Sequence, residues 1–89
     1  MTNNPLLKQA GQIRKLLELL GPPIAFRKMF GILNALEMQV EDGKYQRHAV
    51  ARLCEALLAT AQFYDIPEDM AGRLEELACG MIDLVEKHR

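Results

Sequence analysis

The 89-residue chain contains no tryptophan and no serine, and its uninterrupted apolar runs are short. Without serine the commonest hydroxyl nucleophile is missing, and threonine occurs only as Thr2 and Thr60. The apolar runs fall far below the roughly 18 residues that suggest a membrane span, so no bilayer crossing is expected. Only two cysteines occur, Cys54 and Cys79, far apart in sequence. That is no disulfide framework of the kind small secreted domains use. The N-terminus, MTNNPLLKQAG, has no basic region followed by a long apolar stretch. The expected location is therefore cytoplasmic, with both thiols reduced.

Motifs for chemistry are equally scarce. There is no glycine-rich phosphate loop, and neither a CxxC nor an HxxxH pair brings Cys54, Cys79, His48 and His88 onto one turn as zinc ligands. Glu75, Glu76, Asp83 and Glu86 project outward from the last helix, whereas a di-metal bundle needs inward Glu-x-x-His motifs. No catalytic, cofactor-binding or metal-binding residue is assigned, and a protein without enzymatic activity is expected.

What is present is an apolar fraction of 49% and a net charge of -1, the composition of a soluble, globular, single domain. The charge is unevenly divided. Residues 1 to 52 carry +4, and residues 53 to 89 carry -5. Such a division lets two solvated surfaces attract within one fold, or lets a polar molecule dock a charged partner by one end.

The apolar pattern predicts an all-α chain of four helices, at about 5–20, 23–42, 44–64 and 67–88. Asn4-Pro5 opens the first, because the Asn side chain can accept from first-turn amides and Pro gives up an amide without a partner. Leu6, Ala10, Ile13, Leu16, Leu17 and Leu20 fall on one side of it. Gly21-Pro22-Pro23 reads as a stop and a restart: Gly21 in a left-handed helix-ending conformation, Pro23 as the first residue of the next helix.

The second helix places Ala25, Met29, Ile32, Leu33, Leu36 and Val40 together and closes at Asp42-Gly43. The third, beginning near Lys44 without a clear cap, aligns Val50, Leu53, Cys54, Leu57, Ala61 and Tyr64. Pro67, followed by Glu68 and Asp69, opens the fourth, whose stripe is Met70, Leu74, Leu77, Met81, Leu84 and Val85. Short connections make sequential helices antiparallel neighbours, and an up-down-up-down bundle is the expected arrangement. Two helical hairpins sharing a core in a dimer stay open as the alternative.

Some residues are left over once that core is built. Leu19, Phe30 and Phe63 project away from their stripes, with Ile24 and Met38 also straying, and these form the candidate partner-binding surface. Gly11, Gly31, Gly72 and Gly80 fall inside predicted helices on the polar side, where close packing within the monomer does not explain them. Each is either a weak point or a place where another molecule approaches. The two cysteines stand level if the last two helices pair around Asp65-Ile66, but both project to the side of their stripes.

The residues carry no family resemblance strong enough to name. The functional expectation is a small interaction module, an adaptor, chaperone-like subunit or inhibitor of another protein, working as a homodimer. The alternative is a helix-turn-helix-like nucleic-acid-binding regulator using Arg14, Lys15, Arg27 and Lys28 around the first turn.

Overall fold

Asn4 begins the first helix as its chemistry requires. In the computed structural model, which describes residues 4–41 and 45–87, α1 runs Pro5–Leu20, and the Asn4 side-chain oxygen accepts from the Leu7 amide. Its side-chain amide donates to the Val40 carbonyl at 2.9 Å. The start of α1 is thereby tied to the end of α2, Arg27–Val40. The third and fourth helices are α3, Arg47–Ala61, and α4, Glu68–Lys87. Among the described residues the structure is all-helical, without strands.

The Gly-Pro-Pro stretch stops α1, but the restart comes later than the sequence suggests. Pro22 to Phe26 form successive turns, with the Ala25 amide donating to Pro22 and the Phe26 amide to Pro23. Helix α2 begins only at Arg27. Gly21 is also not left-handed: its φ of 162° is ordinary extended backbone. Glycine is required there by proximity, because a Cβ would stand 2.9 Å from the Phe26 ring.

The third helix starts at Arg47 rather than near Lys44, without a side-chain cap, and leaves the α-helical pattern after Ala61 through a run of tight turns to Tyr64. The Asp42-Gly43 turn and Lys44 lie outside the described residues. Pro67 precedes α4 and its carbonyl accepts from Ala71, with Glu68 and Asp69 in the first turn at the positive end of the helix dipole.

The four helices close on one another as a ring. Close contacts join α1 to α2, α2 to α3, α3 to α4 and α4 back to α1, and no Cα of α1 comes within 8 Å of α3, nor any of α2 within 8 Å of α4. The Cα radius of gyration, 12.4 Å, is close to the roughly 12 Å of a compact chain of this length.

The interior is built by the four predicted stripes, including Leu6, Ile13, Leu17, Met29, Leu33, Leu57, Leu74 and Met81. Among the described residues no polar or charged side chain joins it. The core also differs from the predicted stripes, which omit the fully buried Ala78. Ala25 is exposed, because it sits in the turn before α2, and Phe30 is 6% exposed and part of the core.

The helical glycines divide into two kinds. At Gly80 a Cβ would lie 2.7 Å from the Gln9 side-chain nitrogen, which donates across the interface to the Leu77 carbonyl. Gly80 therefore does serve packing within the chain, contrary to the sequence expectation, by letting α1 reach the α4 backbone. Gly11, Gly31 and Gly72 have nothing within 4 Å of the added Cβ. Replacing all three by alanine should raise the unfolding free energy by about 2.4–3 kcal/mol, given that glycine in a helix interior costs roughly 0.8–1 kcal/mol each. Urea unfolding followed by circular dichroism measures it. No gain would mean that the three helices are already distorted at those points.

Candidate functional site

Phe26, just before α2, and Tyr64, just after α3, meet with ring centroids 5.0 Å apart and planes inclined by 43°. This contact brings the α1–α2 and α3–α4 connections to the same end of the molecule. Aromatic rings at such separations attract through their quadrupoles as well as through buried area. Phe26, Tyr64 and Ile66 are half-buried and pack against the core, so this end has a fixed apolar base.

Three large apolar side chains stand exposed around that base. Leu19 at the end of α1 is 78% exposed, Ile24 in the following connection 81%, and Phe63 just beyond α3 88%. Beside them an open pocket of about 440 Å³ lies between α3 and α4, lined by Leu58, Ala61, Tyr64, Ile66 and Leu74, with Glu75 at its margin. Two of the three predicted partner-binding residues, Leu19 and Phe63, are thus exposed next to the two connections at this end, as is Ile24. Met38 is exposed near the C-terminal end of α2, away from them.

Phe30, the third predicted residue, is withdrawn from the surface. It lies on the side of α2 that faces α1, and the Arg14 guanidinium carbon sits 5.9 Å from its ring centroid. Starting α2 four residues early places Ala25 in the apolar stripe. The stripe's centre then rotates away from Phe30, although Phe26 and Phe30 are one turn apart and both pack inward.

The basic residues are distributed differently from the nucleic-acid alternative. Arg14 is half-buried and makes a two-pronged ion pair with Glu37, its Nε donating at 3.0 Å, while its terminal nitrogen also donates to Asn34. This fork-to-fork geometry holds α1 against α2 and leaves Arg14 committed to the fold. Lys15, Arg27 and Lys28 are exposed. The pairing of Arg14 with Glu37 was not foreseen; both residues lie on the facing flanks of the two helices, and the i-to-j register of an antiparallel hairpin was its only signal.

Cys54 is buried and Cys79 exposed, and both are free thiols. Burial pushes the Cys54 thiol up to about 12, with Cys79 and Glu55 adding to the same direction. A thiol held protonated in this way is a poor nucleophile. His48 is exposed, and His88 lies outside the described residues. Among the described residues no group of three or more His, Cys, Asp or Glu side chains gathers as a metal site, and no helix is long and apolar enough to cross a membrane. No protein-family model, curated protein or solved structure matches the chain.

Proposed function

We propose that this chain is a non-enzymatic helical interaction module, an adaptor, chaperone-like subunit or inhibitor of another protein, that works in the cytoplasm as a dimer. The observation that carries the reading is the exposure of Leu19, Ile24 and Phe63 at the end of the molecule where Phe26 meets Tyr64. Exposed aromatic and aliphatic anchors beside a preformed pocket are the usual material of a protein-binding surface. The backbone that carries these residues rests on a packed base of Phe26, Tyr64 and Ile66, which limits the ordering entropy that opposes binding to the exposed side chains.

The helices form an up-down-up-down bundle in this reading. The ring of contacts without diagonal approaches supports it, as do the paired positions Asn4 with Val40 and Arg14 with Glu37, which descend along α2 as they ascend along α1. Burial of all four stripes within one chain favours that bundle over two hairpins sharing a core between chains.

A photoreactive amino acid placed at position 63 tests the function. Irradiation in the cell of origin should yield a discrete protein adduct at that position and none when the same group replaces exposed His48 on the flank of α3. Adducts at both positions alike, or nucleic acid in place of protein, would overturn the interaction reading.

A further inference from the structure

The charges around the apolar end follow a pattern that selects one occupant. In the ring of helices α1 and α3 are diagonally opposed, as are α2 and α4. One diagonal is apolar at this end, with Leu19 on α1 and Phe63 after α3. The other is charged with opposite signs. Exposed Arg27 and Lys28 begin α2, which has no acid in its first turn, whereas exposed Glu68 and Asp69 begin α4, with Asp65 just before them. Glu18 neighbours Leu19 in sequence but lies about 100° around α1 from it.

We infer that a second copy of this chain occupies the apolar end, in an isologous, end-to-end dimer whose two-fold axis runs along the Leu19–Phe63 diagonal. Rotation about that axis brings Phe63 onto Phe63 and the α1 corner of each protomer, with Leu19 on its outer flank, beside that of the other. The same rotation places the Arg27–Lys28 corner of each protomer over the Glu68–Asp69 corner of the other, so the attraction occurs twice. A two-fold axis along the charged diagonal would instead set like charges against each other. The arrangement is self-complementary, as a closed two-fold interface must be. It rests on the bundle order and the interaction surface proposed above, and it names the partner that surface takes.

The end of the bundle limits the size of the interface. Cα extents of 21 × 19 Å across the end correspond to roughly 500 Å² per protomer with side chains included, below the standard size of stable interfaces. Formation of the dimer depends on ionic strength through the two charged corners.

Light scattering over a wide concentration range, at low and high salt, tests the arrangement with a charge exchange. The chain itself should double its mass as concentration rises, and less so at high salt. R27E/K28E makes both charged corners acidic, and E68K/D69K makes both basic. Each variant alone should associate at least about tenfold more weakly. Mixed in equal amounts they should recover the dimer mass, because opposite corners then meet at both contacts. Phe63→Lys, a change at an exposed position that leaves the core intact, should also abolish dimerisation with helical circular dichroism unchanged.

A chain that stays monomeric throughout overturns the dimer, while an adduct between position 63 and a different protein would still uphold the interaction reading. A dimer that both charge variants retain, or a mixture that stays monomeric while both variants are helical, overturns the end-to-end geometry.

Discussion

Phe30→Ala is expected to lower the unfolding free energy by about 3–5 kcal/mol, the range for emptying a buried phenylalanine site. The ring is 6% exposed, belongs to the central cluster and lies under the Arg14 guanidinium. Truncation removes its burial, leaves a cavity between α1 and α2, and takes away the face over which that cation sits. Small domains have total stabilities of only about 5–15 kcal/mol, so the variant should lose a large share of its population of folded molecules on mild heating. Phe63→Ala is the control: at 88% exposure it should change stability by no more than about 0.5 kcal/mol. Urea unfolding of the two variants separates the roles. Equal stabilities would mean that Phe30 is not part of the core. A double Phe30/Phe63 polar replacement is for the same reason unsuitable for testing association, since its effect on folding would obscure its effect on binding.

The second large effect should appear at alkaline pH. In the folded chain Cys54 keeps its proton up to about 12, whereas an unburied thiol ionises near its ordinary value of 9.0. Between those values the unfolded chain binds fewer protons than the folded one, so the stability slope against pH is negative. The contribution is fully present below pH 9 and is lost as pH rises through 12, by about 1 kcal/mol per pH unit and at most on the order of 4 kcal/mol. Tyrosine and lysine also titrate in this range, so the comparison must be with Cys54→Ala. That variant starts from a lower stability because of the missing sulfur, but its stability should fall less steeply above pH 9. Parallel slopes for the two proteins would show that Cys54 is not the group responsible.

How much of this was legible in the sequence depended on whether a feature was local. The bounds of α1 were readable because Asn4, Pro5 and Gly21 act within a turn of the helix ends. The onset of α2 was not, because Pro23 suits a first helical position and a turn equally, and the Phe26 ring that occupies the space beside Gly21 comes from five residues on. Exposure of Leu19 followed from helical periodicity, whereas Phe63 is exposed in the turns after α3, where periodicity predicts helix. The burial of Phe30 did not follow from periodicity, since it depends on which flank of α2 meets α1. Gly80 was misread for a similar reason: the group that needs its missing Cβ is Gln9, 71 positions earlier in the chain. That the exposed residues share one end also lay beyond periodicity, because it is decided by the meeting of Phe26 with Tyr64.

Asn4 has a consequence beyond capping. One side chain terminates α1 through its oxygen and reaches the last carbonyl of α2 through its nitrogen. Fraying at a helix end is ordinarily a private event, confined to one segment. Here the first turn of α1 and the end of α2, 36 positions away, share one hydrogen bond, so fraying at either end takes an anchor from the other. The far end of the molecule from Phe63 thus links two helix ends through one side chain, at a coupling of about 1 kcal/mol.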